Sequence, residues 1–317
     1  MKYKTAKSLP KRAITFVRQL REDMKILVLG SGGREHALVR SLANSPNADQ
    51  VWIAPGNGGT ALEGRNVNLS PENFEDVAEF VSKEKVDFVV VGPEAPLVNG
   101  IVDFFKEDDR TKNIPIFGPN KAAAQLEGSK DFAKRFMQRH SIPTAGYQTF
   151  SDEQYEAAKA YLIAQPLPIV LKADGLAAGK GVRVCLDRAD SLNALEDILK
   201  DKKYGQAGAQ VVIENFLDGK ELSVFGICDG ENYVLMPTAK DYKRRGEGDT
   251  GLNTGGMGAI SPVPFASEEL MTKVKKEIVE PTLKGLVSEG IHYTGFLYFG
   301  LMKVGDSAFV IEYNCRM

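Results

Sequence analysis

From Met24 onward the chain alternates short apolar runs with stretches of helical character, and this alternation leaves few folds open. KILVLG (Lys25 to Gly30), VWIA (Val51 to Ala54), DFVVV (Asp87 to Val91) and IPIFG (Ile114 to Gly118) read as buried strands. Helices are expected between them, starting near Glu35-His36 and then over Phe74 to Lys83 and Val98 to Lys106. Short apolar strands separated by helices predict a parallel, doubly wound sheet. Ligands of such sheets sit at the carboxyl ends of the strands. Those ends carry SGGRE (Ser31 to Glu35), PGNGGT (Pro55 to Thr60) and GPEAPL (Gly92 to Leu97). Three glycine-rich turns on one edge make a pocket, and the first can hold a phosphate on a helix N-terminus with Arg34 beside it.

A dinucleotide site does not fit these turns. The G-x-G-x-x-G fingerprint fails because Gly30-Ser31-Gly32-Gly33-Arg34-Glu35 ends in glutamate. The second strand ends in Ala54-Pro55, with no acid for a ribose hydroxyl.

The second half of the chain has a different grammar. Lys121 to His140 reads as helix, broken or re-aimed around Gly128-Ser129-Lys130. A short strand near Tyr147 to Phe150 and a helix from Asp152 to Ala164 follow. The strand Pro168 to Leu171 then leads into KADGLAAGKGV (Lys172 to Val182), with Val182 to Cys185 as the return strand. A glycine loop between antiparallel strands can fold its backbone N–H groups over a polyphosphate. It is not a Walker A loop: only three residues separate Gly175 from Gly179, and Gly181 stands where the magnesium hydroxyl belongs. A ligand-free glycine hairpin is the competing reading. Further on come a helix near Ala189 to Lys200 and the strand QVVIENFL (Gln210 to Leu217). Two strands, Glu221 to Gly230 and Asn232 to Asp241, are expected around an Asp-Gly turn. Arg244 to Pro264 is so rich in glycine that it reads as a long ligand-binding or disordered loop. A mostly polar-faced helix is expected from Ser267 to Glu289, then strands Gly295 to Val304 and Phe309 to Asn314.

Composition narrows the function. A net charge of −2 argues against nucleic acid as the main partner. Three scattered cysteines (Cys185, Cys228, Cys315) point to a reducing compartment without a disulfide framework, and three histidines are too few for a histidine metal site. No apolar run is long enough to span a membrane. The chain reads as cytoplasmic. Residues 1–23 hold seven lysines and arginines before the first acid, Glu22, and read as a basic extension with no role in chemistry.

Taken in order, GGREHA (Gly32 to Ala37), APGNGGTA, VGPEAPLVNG, FGP, AQLEGSK (Ala124 to Lys130), KADGLAAGKGV, NTGGMGA (Asn253 to Ala259), TGFLYFGLM and IEYNCR resemble phosphoribosylamine–glycine ligase, the ATP-grasp enzyme of purine biosynthesis also called glycinamide ribonucleotide synthetase. The resemblance covers nearly all of Met24 to Met317. It implies an α/β protein with a doubly wound pre-ATP-grasp domain at 24–125 and an ATP-grasp α+β domain at 126–317, with 145–217 as the small nucleotide-clamping lobe. In the family the arginine of IEYNCR is soon followed by Gly-Asp-Pro, more of the grasp domain and a C-terminal subdomain. The expectation is therefore a grasp domain lacking its C-terminal end.

The chemistry implied is ATP-dependent joining of glycine to 5-phosphoribosylamine through glycyl phosphate, giving glycinamide ribonucleotide, ADP and phosphate. A truncated, catalytically impaired nucleotide-binding fragment is the alternative. By the resemblance, Lys130 and Lys172 reach ATP phosphates and the loop Gly175, Gly179, Lys180, Gly181 closes over them. The backbone of Glu214, Asn215, Phe216 and Leu217 reads adenine, and Glu221 holds the ribose. Glu312 and Asn314, which period two places on one strand face, are the Mg2+ (or Mn2+) ligands. Arg316 continues that face toward the transferring phosphoryl group, and Lys172, Asn253 and Gly256 complete the catalytic set. Phosphoribosylamine is assigned to Gly33, Arg34, Glu35, Asn57, Pro93 and Glu94. Glycine is assigned under the run Asn253 to Gly258, including Thr254, Gly255 and Gly258, and Asp174 is a further substrate-binding candidate. The partners are these small molecules, and a monomer is expected. Two departures flank the glycine run: Lys240-Asp241-Tyr242-Lys243-Arg244 where the family has Gln-Asp-His-Lys-Arg, and Leu252 where it has proline.

Overall fold

The computed structural model describes residues 23–177, 180–248 and 250–317. Residues 1–22 of the basic extension, and Gly179 of the phosphate-loop assignment, lie outside the described residues. The chain divides into two compact units, one running up to Pro96 and including Ile101–Phe117, the other comprising Leu97–Gly100 and Gly118–Met317.

The first unit is built as the alternation predicts. Strand β1 (Met24–Gly30) leads into helix α1 (Gly33–Ala43), then β2 (Ala48–Pro55), a two-residue β3 (Arg65–Asn66), α2 (Phe74–Glu84) and β4 (Phe88–Val91). Helices α3 (Glu94–Asn99) and α4 (Ile101–Glu107) and strand β5 (Ile116–Phe117) follow. The five strands form one parallel sheet in the order β3-β2-β1-β4-β5. Ile26 to Leu29 at its centre are buried, as a strand covered on both faces requires. The single helix expected over 98–106 is two. Gly100 turns the chain with a φ of +99°, a left-handed conformation that no helix continues through. The short β3 carries no periodicity and could not be read from the sequence.

In the second unit, α5 (Lys121–Gly128) and α6 (Lys130–Arg139) meet at Ser129, whose extended backbone breaks the helix and whose Oγ caps α6 by accepting from Phe132 N–H. Strands β6 (Tyr147–Ser151), β7 (Ile169–Ala173), β8 (Val182–Cys185) and β9 (Gln210–Asn215) form an antiparallel sheet in the order β6-β9-β7-β8. Helices α7 (Tyr155–Ala164) and α8 (Arg188–Leu199) bury Leu162, Leu195 and Ile198 in a core with Leu171, Val211 and Ile213. A second sheet, in the order β11-β10-β14-β15, joins β10 (Lys220–Asp229), β11 (Tyr233–Leu235), β14 (Thr294–Val304) and β15 (Ser307–Asn314). Between β11 and β14 lie a hairpin, β12 (Lys240–Gly246) with β13 (Thr250–Ile260), and helices α9 (Glu268–Val274) and α10 (Glu280–Ser288).

Three expectations are corrected here. The run 244–264 is no long loop. Most of it is the hairpin, with Tyr242 facing Gly258 and Arg244 facing Asn253, because backbone pairing outweighs the poor strand propensity of its glycines. Asn232 to Asp241 is not one strand. It stops at Leu235 and resumes at Lys240, with Pro237, which has no N–H for a ladder, in the gap. The helix over 267–289 is not mostly polar-faced. It buries Leu270, Val274, Ile278, Val279 and Leu286 and passes through a π turn at Lys275–Val279, just before Pro281, which cannot donate back into the preceding turn. Among the described residues, no helix is long and apolar enough to cross a membrane.

Candidate active site

The second unit gathers the nucleotide candidates where β7, β9 and β15 approach one another. Lys172 is buried near the end of β7, and its ammonium donates to the Ile311 carbonyl at 2.8 Å. Ile311 directly precedes Glu312 on β15, so the candidate phosphate ligand on β7 is bonded to the strand that carries the candidate metal ligands. Lys172 Nζ also lies 3.0 Å from Glu214 Oε1. Lys134 Nζ lies 3.0 Å from the other oxygen, Oε2. Burial opposes ionisation of Glu214, but the two ammoniums outweigh it and hold its carboxyl below the ordinary glutamate range. The Glu214 side chain is thus a buried counter-ion, which leaves Glu214 itself only its backbone for a ligand edge.

Lys130 stands at the first turn of α6 and donates to the Gly175 carbonyl at 2.9 Å. Burial lowers its affinity for a proton, while Asp174 raises it and Lys172 lowers it further. Asp174 binds the same helix end: its carboxylate accepts from Ser129 Oγ at 3.1 and 3.2 Å and from Asp131 N–H at 3.0 Å. A carboxylate at a helix N-terminus is favourably placed by the helix dipole. The start of the glycine loop is therefore pinned to α6. Lys180 and Gly181 lie on its far limb, Lys180 exposed and Gly181 buried.

Along β15, Tyr313 is buried in the core while Glu312 and Asn314 lie half-buried on the opposite face, the period-two pattern read from the sequence. Gly300 faces Glu312 across the ladder, and a Cβ there would come within 2.8 Å of Glu312 Cγ, so the missing side chain gives the glutamate its path. With its amide turned so that the nitrogen faces the acceptors around it, Asn314 donates to the Tyr313 carbonyl at 3.0 Å and to Glu127 Oε1 at 3.2 Å. Glu127 also accepts from Cys315 N–H at 2.6 Å and pairs with Arg316 at 2.9 Å. Arg316 is thereby held from α5. Sequence reasoning missed Glu127 and Lys134. The signal for each was helical spacing: Lys134 follows Lys130 by one turn, and Glu127 follows the buried Ala123 and Ala124 by one turn.

Glu221 on β10 is half-exposed and lies 3.7 Å from Lys243. Burial acts against the Lys243 ammonium, but Glu312, Tyr298, Glu221 and Asp241 together raise its proton affinity. On the hairpin, Thr254 Oγ1 donates to the Lys243 carbonyl at 2.8 Å and accepts from Gly256 N–H at 3.1 Å. A Cβ at Gly255 or Gly258 would meet open space, and the backbone of Asn253 pairs with Arg244. Among the described residues no group of three or more His, Cys, Asp or Glu could hold a metal. Two oxygens on one strand suit a cation that is bound chiefly through nucleotide phosphates, and do not suit a protein-only cage.

In the first unit, Arg34 is half-exposed at the start of α1 and lies 3.7 Å from Glu94. Glu35 is buried; its Oε2 accepts from Gly32 N–H at 2.5 Å, and its Oε1 has no partner. Side chains at Gly30, Gly32 or Gly92 would collide with this carboxylate, so several glycines of the two turns make room for Glu35. Asn57 Oδ1 accepts from Gly59 and Thr60 N–H, and its amide donates to the Ser31 carbonyl at 2.8 Å, tying the second turn to the first. Gly33 and Pro93 flank these contacts, and a Cβ at Gly33 would meet open space.

Comparison with known proteins agrees along the length of the chain. Residues 24–127 match the family model of the phosphoribosylglycinamide synthetase N domain, and 128–317 that of its ATP-grasp (A) domain. The chain is 54% identical over 295 residues to phosphoribosylamine–glycine ligase of Ralstonia nicotianae, covering 93% of this chain and 68% of that one. It is 51% identical over 296 residues to the ligase of Vibrio parahaemolyticus, with 92% and 68% covered. The crystal structure of phosphoribosylamine–glycine ligase from Thermotoga maritima superposes with a TM-score of 0.76 at 34% identity, over 93% of this chain and 69% of that one. The chain thus spans about 68% of the length of the curated relatives it matches. With an ATP-grasp match over 128–317 and half of its residues shared with named ligases, the chain belongs to the phosphoribosylamine–glycine ligase family.

Proposed function

We propose that this protein joins glycine to 5-phosphoribosylamine at the expense of ATP, forming glycinamide ribonucleotide, ADP and phosphate in de novo purine biosynthesis. The observation that carries this reading is the bond from Lys172 to the Ile311 carbonyl. It sets a buried ammonium beside the strand that presents Glu312 and Asn314, so that charge for a phosphate and oxygens for its cation meet in one place.

The glycine carboxylate attacks the γ-phosphorus of ATP, the bond to the β,γ-bridging oxygen breaks, and glycyl phosphate and ADP result. The amine of phosphoribosylamine then attacks the acyl carbon, loses a proton and displaces phosphate. The protein's part is to hold reactants and neutralise charge. Lys130 and Lys172 take phosphate oxygens under the loop Gly175 to Gly181, the backbone of Glu214 to Leu217 reads adenine, and Glu221 holds the ribose. Glu312 and Asn314 would hold Mg2+ or Mn2+, which would supply charge neutralisation at the phosphates. Arg316, with Asn253 and Gly256, is assigned to the transferring group. Asp174 supports the glycine subsite through the loop it pins to α6, and Thr254, Gly255 and Gly258 line that subsite with backbone amides. Gly33, Arg34, Asn57, Pro93 and Glu94 form the phosphoribosylamine cradle, with Glu35 shaping its turns from beneath.

No nucleophilic side chain is required, and the cysteines support this. Burial pushes the Cys185 and Cys228 thiols up to about 12 and the Cys315 thiol higher still, so no thiolate is available near neutral pH. A cytoplasmic monomer is the accompanying proposal.

The test is ADP release with ATP, Mg2+, glycine and freshly made phosphoribosylamine, each omitted in turn. ADP formation that requires all of them establishes the ligase. Nucleotide binding that is lost in Lys172→Ala, without turnover, would establish only the nucleotide site.

A further inference from the structure

The Glu214 carboxylate is shared by two buried ammoniums, and only one of them has a place in the reaction proposed above. Lys134 is 2% exposed and Glu214 3%, and the Lys172 side chain is 9% exposed. Lys134 cannot reach a ligand. Its ammonium donates to Thr144 Oγ1 at 2.7 Å, pairs with Glu214 Oε2 at 3.0 Å and sits 3.5 Å from the Ala145 carbonyl. Thr144 Oγ1 donates in turn to the Val310 carbonyl at 2.7 Å, and Lys172 donates to the next carbonyl, Ile311. The two lysines are thus registered to consecutive residues of β15, immediately before Glu312.

The cluster holds two positive charges and one negative. For stability alone that is a poor choice: a buried charge without a full partner is costly, and well-packed apolar residues commonly serve as well or better. A single Lys172–Glu214 pair would be neutral and would offer little to an incoming anion. Adding Lys134 leaves the buried group one positive charge in excess. Lys172 Nζ, although 3.0 Å from Glu214 Oε1, aims its bond at Ile311, and Oε1 has no directed hydrogen bond. We propose that Lys134 is a positioning residue of the nucleotide site: it neutralises Glu214 from behind, so that the charge of Lys172 remains for the polyphosphate of a nucleotide. This rests on the reading of Lys172 as a phosphate ligand.

A consequence is proton-linked nucleotide binding. Burial pushes the Lys134 ammonium down to about 8. The charged or titratable groups facing it are Glu214 on β9, Lys172 on β7 and Tyr147 on β6, with Lys130 one turn earlier on its own helix. Asp174 and Glu312 act on the cluster through Lys130. An anion beside Lys172 favours the protonated form of Lys134, so nucleotide affinity falls as pH rises through about 8.

Calorimetric titration with Mg–ADP of the full chain and of Lys134→Met, Lys134→Arg and the double variant Lys134→Met/Glu214→Gln tests this. Lys134→Met should weaken ADP binding about tenfold or more. Lys134→Arg should recover most of the loss, and the double variant, again carrying one net positive charge, should bind better than Lys134→Met. In the unmodified chain, affinity should decline between pH 7 and about 9.5, and the double variant should lack that decline. The unmodified chain needs no substitution to fold, so its pH series stands by itself: a flat series overturns the inference. So does ADP binding by Lys134→Met at the unmodified affinity, or a double variant no better than the single one. If the unmodified chain binds no ADP, the nucleotide reading itself fails.

Discussion

Glu127 offers the sharpest test of how the candidate metal strand is held. Its carboxylate, 7% exposed, accepts from Cys315 N–H at 2.6 Å, from Arg316 at 2.9 Å and from the Asn314 amide at 3.2 Å. Replacing it with alanine removes three bonds to a charged acceptor at one stroke. Each such bond contributes about 1.5–3 kcal/mol, and breaking a buried ion pair costs about 3–5 kcal/mol. Arg316, at 14% exposed, can recover part of this by turning toward water. The net expectation for Glu127→Ala is therefore about 2–4 kcal/mol of destabilisation. Glu127→Gln keeps an oxygen for the Cys315 N–H but loses the charge opposite Arg316, and should cost about 1–2 kcal/mol. Urea unfolding followed by far-UV circular dichroism is the suitable assay, because the one tryptophan, Trp52, reports on the other unit. Both variants should also weaken Mg–ADP binding, since the Asn314 amide loses the partner that orients its oxygen. A Glu127→Ala protein within about 0.5 kcal/mol of the unmodified chain, with unchanged Mg–ADP affinity, would refute the claim that α5 fixes this strand.

Gly300→Ala places a methyl group against Glu312 Cγ, and should weaken the metal dependence of nucleotide binding about tenfold while costing about 1–3 kcal/mol of stability; titration of ADP at varied Mg2+ reads the first and urea unfolding the second. Glu35→Gln keeps an acceptor for Gly32 N–H and removes a buried, partnerless carboxylate oxygen, so stability should change by less than about 1 kcal/mol. Glu35→Ala instead opens a cavity beneath the two turns and should cost about 2–3 kcal/mol, both followed through Trp52 fluorescence. Glu289 is held below the ordinary glutamate range by the Arg139 fork and then by His140, at 2.7–2.9 Å. Its folded affinity for a proton is depressed, so its contribution is present above the unfolded value of about 4.3 and is lost as pH falls below it. Glu289→Gln should therefore cost under about 1 kcal/mol at pH 7, and the difference should shrink as pH falls below about 4 in thermal unfolding.

Most of the first unit was legible because short apolar runs such as KILVLG and DFVVV, alternating with helical stretches, read as strands covered on both sides. The pairing of Glu312 and Asn314 on one face followed from the two-residue repeat of a strand in the same way. The hairpin over 240–260 was not legible, because its glycines carry no side-chain pattern and its order comes from cross-strand hydrogen bonds.

Sequence by itself therefore determined most of the elements, the family and which residue types gather near the phosphate loop. Tertiary structure alone decided how their charges are shared. Lys134, Lys172 and Glu214 lie far apart in the chain, and nothing in their spacing says that two ammoniums divide one carboxylate. Glu127 and Cys315 are separated by 188 residues, and their 2.6 Å bond exists only because α5 packs against β15. Local periodicity reports which face of an element is buried. Coulomb and hydrogen-bond partners depend on distances of a few ångströms between elements, which no single element encodes.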